Sequence, residues 1–100
     1  MIEVGVYVWI NHRLPDKRIA YGRFCKRVSW PALPRKGDGI VLVPMGNDMH
    51  SEIREVCWNC MDGTVRVEVT EDFDDALDDF REMYRELKES GFDLIDEMLP

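Results

Sequence analysis

Two cysteines separated by two residues, Cys57 and Cys60 in the stretch "CWNC", have the spacing of a redox pair or of half a zinc site. A redox CxxC pair needs a helix that begins at the motif and lowers the pKa of one thiol, and no helical pattern follows Cys60. A structural zinc site would also need Cys25 and either His12 or His50, with the paired sulfurs converging at a tight turn. The spacing alone leaves open a redox pair, a zinc site, or two cysteines of a strand.

The surrounding residues favour a strand. The dipeptide Asp62-Gly63 lies between two strand-like segments and predicts a two-residue hairpin turn, which places Trp58 opposite Val67. Residues three apart in a strand point to opposite faces about 10 Å apart, beyond the ~7 Å that a disulfide can span. We therefore expect Cys60 to be a small core residue beside Trp58 and Cys57 to be half-exposed, and we keep a zinc-stabilised domain as an alternative.

Other residue types that could do chemistry are scattered. His12 and His50 fall in predicted loops, where a solvated imidazole is the ordinary outcome. The stretch Gly37-Asp38-Gly39 lacks the spacing of a phosphate-binding loop. No spacing brings a nucleophile to a base. We expect a protein without catalytic activity and without a cofactor or metal.

The net charge of −7 is unevenly distributed. Residues 1–50 hold eight Lys and Arg against four acids, a balance of +4, so residues 51–100 carry −11. Such an acidic half disfavours DNA binding by the whole surface, but it suits a basic protein partner and leaves room for a local basic patch. The chain has no apolar run of ~20 residues and no signal-peptide pattern. With an odd number of cysteines as well, we expect a cytoplasmic protein without membrane contact.

The acids Asp75, Asp79, Glu82 and Glu86 form a stripe at the i, i+4, i+7, i+11 spacing of one helix face. Like charges at i, i+4 are mildly destabilising, so the stripe serves either solubility or a partner. As a partner surface it is a rod of negative charge about 16 Å long, suited to a phosphate-binding groove.

A second candidate surface is basic and aromatic. Its residues lie near Tyr7 and Trp9 in predicted strands and turns: Tyr21, Arg23, Lys26, Arg27, Arg35 and Lys36. Cations among aromatic rings are typical of small barrels that bind single-stranded nucleic acid. The plainer interpretation is a solvated outer face of a sheet.

The spacing of the hydrophobic residues predicts the strands and the helix that carry these candidate residues. Alternation predicts a near-central strand up to Ile10 and a long strand over residues 19–30, with Phe24 and Arg23 on opposite faces. A short strand "IVLV" and the two hairpin strands complete the sheet. From Phe73 the period becomes helical, with Asp72 or Thr70 as the N-cap.

The helix should end at Gly91 in a Schellman motif that brings Phe92 against Leu87. We expect the tail, residues 91–100, either to form a short helical turn that packs Phe92, Ile95 and Leu99 or to present these residues to a partner.

These elements predict one α+β domain spanning residues 1–100. Its sheet, over residues 2–70, is curved and mostly antiparallel with about five strands, and one C-terminal amphipathic helix over residues 72–90 packs on it. A small open barrel is the variant of this fold.

In size, acidity and texture, with the turn Pro34-Arg35-Lys36-Gly37-Asp38 and the hairpin strand Val65-Arg66-Val67, the chain resembles small proteins of bacteria and their phages. Anti-CRISPR and anti-restriction proteins are among them. The resemblance transfers no site residue. The acidic half and the absence of catalytic spacing indicate a non-catalytic protein-binding module. With the resemblance, its most specific form is a phage-type acidic inhibitor that blocks a nucleic-acid-binding surface of a host complex. The alternatives are the nucleic-acid-binding barrel and the zinc-stabilised domain.

Overall fold

The computed structural model describes residues 2–42, 50–59, 61–74 and 76–99. Along these ranges the elements are β1 (Ile2–Arg13), β2 (Ile19–Trp30), β3 (Gly39–Val41), β4 (His50–Trp58), β5 (Val65–Asp72), α1 (Leu77–Glu89) and β6 (Asp93–Met98). The predicted α+β class is confirmed, with six strands instead of about five. Within the described ranges no helix has the length and apolar character needed to cross a membrane.

The six strands form one sheet in the order β3-β4-β5-β1-β2-β6. The β1/β5 pair is parallel and the other pairs are antiparallel, so the sheet is mostly antiparallel, as predicted. The near-central position predicted for β1 is also confirmed. β3 and β6 lie at opposite ends of this order, so the sheet does not close and the barrel variant is wrong.

The core lies on the face of the sheet that α1 covers, here called the inner face. Alternate side chains of β1 and β5 are buried there, all with less than 3% exposure: Val4, Val6, Val8, Ile10, Val65, Val67 and Val69. Phe24 of β2 and three α1 side chains, Phe80, Met83 and Leu87, complete the same cluster. Burying each aliphatic side chain contributes about 1.5–3 kcal/mol, so these rows hold the domain together.

The helix begins later than predicted. β5 continues to Asp72 because its parallel pairing with β1 extends as far as Asn11 opposite Asp72. The Asn11 side-chain amide donates to the Asp72 carboxylate at 3.0 Å, and the Phe73 N–H donates to the Asn11 carbonyl at 2.8 Å. The first helical residue is therefore Leu77, without a side-chain cap, and the predicted caps Asp72 and Thr70 are wrong.

The predicted end of the helix is confirmed. Gly91 has a φ of +88°, the left-handed conformation that glycine adopts without strain. The Phe92 N–H donates to the Leu87 carbonyl at 3.1 Å, and the Gly91 N–H donates to the Lys88 carbonyl at 3.3 Å. These two bonds define the Schellman motif, and Phe92 is buried as the motif requires.

The tail is a strand and not a helical turn. β6 pairs antiparallel with β2 and adds its backbone donors and acceptors to the edge of the sheet. Leu94 is half-buried against the core, whereas Ile95 and Leu99 are about half exposed. The packing predicted for Ile95 and Leu99 is therefore wrong.

The β4/β5 hairpin is shifted by two residues from its predicted register. Trp58 lies opposite Val65 instead of Val67. A shift of two leaves every side chain on its predicted face, whereas a shift of one would reverse them all. It nevertheless moves Trp58 to the end of the sheet, where its side chain is 55% exposed, so its predicted core position is wrong.

The shift arises from a loop that is longer than a two-residue turn. The Asn59 N–H donates to the Thr64 carbonyl at 2.9 Å, so the strands close around residues 60–63. The Asp62 carboxylate accepts bonds from both the backbone N–H and the hydroxyl of Thr64. This side-chain turn competes with the two-residue geometry that Asp-Gly alone suggests.

The helix and the sheet approach each other closely at Gly22 of β2. A Cβ atom at this position would lie 2.9 Å from Cε2 of Phe24 and 3.2 Å from Cδ2 of Tyr84 in α1. The rings of Phe24 and Tyr84 meet edge to face, with centroids 5.3 Å apart. The missing side chain at Gly22 lets Tyr84 pack directly on the sheet.

The substitution Gly22→Ala should lower the free energy of unfolding by about 1–3 kcal/mol, because the two rings must move to admit a methyl group. Gly39→Ala is the matched control, since a Cβ atom at Gly39 would meet nothing within 4 Å. Urea denaturation followed by circular dichroism measures both variants. Equal stabilities would contradict the close approach.

Candidate binding surfaces

The predicted acidic stripe lies along one flank of α1. Asp79 and Glu82 are exposed and Glu86 is half-exposed. Within the described ranges none of these three carboxylates forms an ion pair. Asp75 precedes α1 and lies outside the described residues, so the described stripe extends over about 10 Å at 1.5 Å per residue.

The opposite flank of the same helix is basic. Arg81, Arg85 and Lys88 are all exposed and recur at the spacing of the acids. Arg85 forms an ion pair with Glu89 at 3.9 Å, and the Lys88 ammonium lies 5.3 Å from the centroid of the Tyr84 ring. With 3.6 residues per turn, the buried residues lie between the two flanks. Asp79, Glu82 and Glu86 therefore lie on one side of the buried residues, and the three bases lie on the other side with Asp78 and Glu89 beside them.

Tyr84 fixes the rotation of α1 about its axis. Its ring packs on Gly22, and its hydroxyl donates a hydrogen bond to the carboxylate of Glu97 in β6. Desolvation and this hydrogen bond raise the pKa of Tyr84 to about 12. The contact orients the helix, and with it the acidic flank, relative to the sheet.

The face of the sheet opposite α1, here called the outer face, carries arginines stacked on aromatic rings. The guanidinium carbon of Arg23 lies 3.6 Å from the centroid of the Trp9 ring, its partner across the β1/β2 ladder. The guanidinium carbon of Arg66 lies 3.8 Å from the centroid of the Tyr7 ring. Each stack covers a half-buried ring and keeps the charge in water.

The predicted basic and aromatic residues do not all come together. Tyr21, Arg23 and Arg27 of β2 point to the outer face, as alternation requires. Arg35 and Lys36 lie in the exposed segment between β2 and β3.

Lys26 points to the inner face, and its ammonium donates to the Ser90 carbonyl at the end of α1 at 2.8 Å. Its predicted place among the outer cations is wrong, because residues 24, 26 and 28 share the core side of β2.

Carboxylates accompany the stacked arginines. Asp96 of β6 lies 3.9 Å from Arg23 and accepts a hydrogen bond from the Tyr21 hydroxyl at 3.2 Å. Glu68 forms an ion pair with Arg66 at 3.4 Å. The outer face is therefore a mixed surface and not a uniformly basic one.

A cleft of about 480 Å³ lies at one end of the outer face. Its aromatic wall is Tyr7, and its cations are Arg27 and Arg66. Trp58 borders the cleft at the end of β4, but it lies opposite Val65, so its side chain projects from the inner face. Arg66 is not among the predicted basic residues, because it lies in the acidic half of the sequence. The alternation of β5 predicts that Arg66 points to the other face of the sheet from Val65 and Val67, and this signal could have identified it.

The cysteines do not form the predicted zinc set with His12. Cys25 and Cys57 lie on strands three apart in the sheet order, a separation of roughly 14 Å at 4.8 Å per strand. His12 is a buried residue of β1 on the inner face and not a solvated loop residue, and its Nδ1 donates to the Phe73 carbonyl at 2.6 Å. Cys60 and its predicted core position lie outside the described residues.

Cys57 is an exposed strand residue, more exposed than predicted. Among the residues that the structure describes, no three His, Cys, Asp or Glu side chains are grouped to hold a metal ion.

The raised pKa of Tyr84 predicts a measurable pH dependence. The difference between the ultraviolet titrations of the unaltered protein and Tyr84→Phe should show a tyrosine with a pKa of about 12. Because this pKa lies above the unfolded value of about 10, the stability that Tyr84 contributes is complete below pH ~10 and declines as the pH rises to ~12. Tyr84→Phe should flatten that decline. A difference titration with its midpoint near pH ~10 would contradict the assignment.

The chain matches no protein-family model, no curated protein sequence and no solved structure. Its function is therefore inferred from the surfaces described above.

Proposed function

We propose that this protein is a non-catalytic protein-binding module, and most specifically a small acidic inhibitor of the phage type. In this proposal the acidic flank of α1, formed by Asp79, Glu82 and Glu86, occupies a nucleic-acid-binding surface of a host complex. The anti-CRISPR or anti-restriction character of the proposal rests on the resemblance in size, acidity and texture.

The observation that carries the proposal is the uninterrupted row of three carboxylates on one flank of α1. Asp79, Glu82 and Glu86 form a row on one flank of the helix, and the three bases lie on the other flank, so no base interrupts this row. Three carboxylates without ion pairs within the described ranges face solvent together, on a helix whose rotation is fixed by the bond from Tyr84 to Glu97. A rigid row of carboxylates suits a partner surface of Lys and Arg that otherwise neutralises phosphates.

Binding of this kind depends on charge and on ionic strength. Carboxylates that replace phosphates on a basic groove lose affinity as salt rises, because exposed charges are screened over about 8 Å at physiological ionic strength. The partner should also be released by DNA or RNA, since both ligands would occupy one groove.

The triple variant Asp79→Ser, Glu82→Ser, Glu86→Ser should lose the partner, whereas Arg81→Ser, Arg85→Ser, Lys88→Ser should retain it. The two variants change the same number of exposed charges on the same helix. Each is used as immobilised bait in a bacterial lysate, and duplex DNA is then added to displace the bound complex. If both baits recover equal amounts of a nucleic-acid-handling complex that DNA displaces, the acidic-flank proposal is wrong.

A second candidate function, binding of single-stranded nucleic acid, is favoured by the cleft of the outer face. Tyr7 offers a ring on which a base could stack, and Arg27 and Arg66 offer charges for phosphates. Against it stand Glu3 and Asp62, which line the same cleft. This candidate replaces the barrel with an open sheet and omits Lys26.

For this candidate, Tyr7→Leu should weaken oligonucleotide binding by about tenfold, because stacking of one base contributes roughly 1–3 kcal/mol. Arg27→Ser should weaken it as well, whereas Arg13→Ser, at the far end of β1, is the charge-matched control. Fluorescence anisotropy of a labelled oligothymidine at low salt is the measurement. No saturable binding by the unaltered protein would remove the candidate.

A further inference from the structure

A groove of about 600 Å³ crosses the inner face beside the end of α1. Its lining comes from strands distant in sequence: Val28 and Trp30 of β2, Ile40 of β3, Ile53 of β4, and Phe92 after the helix. The segment Pro31–Pro34 forms a further wall. This volume and the mostly apolar lining are typical of sites that bind small molecules.

One cation lies in this apolar lining. Lys26 shares the inner face of β2 with Phe24 and Val28, and its side chain is half-buried. Its ammonium donates to the Ser90 carbonyl at 2.8 Å and lies 5.6 Å from the centroid of the Phe92 ring. Within the described residues Lys26 has no carboxylate partner.

An ammonium group has three N–H donors, and Ser90 uses one of them. A half-buried charge with donors to spare favours a ligand that brings an anion. The other charged group of the groove, Asp38, lies just before β3, four strands from β2 in the sheet order. Its carboxylate already accepts the Arg35 N–H at 3.0 Å. One end of the groove therefore carries the positive charge of Lys26, and the other end carries the negative charge of Asp38.

We propose that this groove binds a small amphipathic carboxylate, with the carboxylate on Lys26 and an apolar chain along Val28, Ile53 and Ile40. The apolar lining favours the chain by removing it from water. The charge-assisted hydrogen bond to Lys26 sets the orientation and selects the acid over a neutral molecule of the same length. The site is independent of the acidic flank of α1 and of the cleft on the outer face.

The experiment compares decanoate with decanol, both below the concentrations at which they aggregate. Nuclear magnetic resonance titration of the isotope-labelled protein follows the amides of Val28, Ile53 and Phe92. Decanoate should give saturable shifts at these amides. Decanol should bind at least about tenfold more weakly, because it lacks the charged acceptor. Equal affinities for the two probes, or no saturable shifts with decanoate, would overturn the proposal.

The Lys26→Met variant should bind both probes equally, because its apolar side chain retains the groove and lacks the charge. Lys36→Met removes the same charge from the exposed segment between β2 and β3 and should keep the preference for decanoate. A Lys26→Met protein that still prefers decanoate would place the anion elsewhere and refute the role of Lys26. If Lys26→Met fails to fold, because the bond to Ser90 is lost, the two probes on the unaltered protein still decide the question.

Discussion

The buried row of β1 is the constraint on which the other elements depend. Val4, Val6, Val8 and Ile10 need neighbours on both sides and a cover above, and β5, β2 and α1 supply them. The cover must come close because the row is made of short aliphatic side chains. Gly22 permits that approach, and the Schellman motif then turns the chain so that β6 can return along β2.

Covering one face with a single helix determines the character of the other face. In a β-sandwich a second sheet would bury Tyr7 and Trp9. Here the guanidinium groups of Arg23 and Arg66 cover these rings, and neighbouring carboxylates hold the arginines. The same solution explains why cations and rings alternate on this face without making it basic. The stacks serve the fold first, and the cleft beside Tyr7 and Arg27 has room for a ligand.

The parts of the fold that rest on short-range signals could be predicted from the sequence. Alternation gave the faces of β1 and β2, and Gly91 gave the end of α1. The rest depends on partners distant in the chain. β5 extends to Asp72 because Asp72 pairs with Asn11 of β1. The tail becomes a strand because its backbone pairs with the exposed edge of β2. Neither partner is visible in the local sequence.

The candidate surfaces show the same division. The acidic flank follows from helical spacing, and its described part is Asp79, Glu82 and Glu86. Lys26 was misplaced even though alternation alone assigns it to the side of Phe24, so that error was avoidable. Arg66 was overlooked because summed charge hides a single cation among acids. The groove around Lys26 could not be predicted, because only the folded chain brings together its walls from β2, β3, β4, the segment Pro31–Pro34 and Phe92.

The parallel pairing of β1 with β5 has a consequence for how the chain folds. Asn11 and Asp72, which bond to each other, are 61 residues apart. A ladder with such separation must close a long loop before it gains any contact, and rates of folding fall as the average separation of contacts grows. The β1/β2 hairpin and α1 can form from local contacts. The buried row of β1, however, stays exposed to water until β5 pairs with β1. The slowest step of folding should therefore be the pairing of β5 with β1.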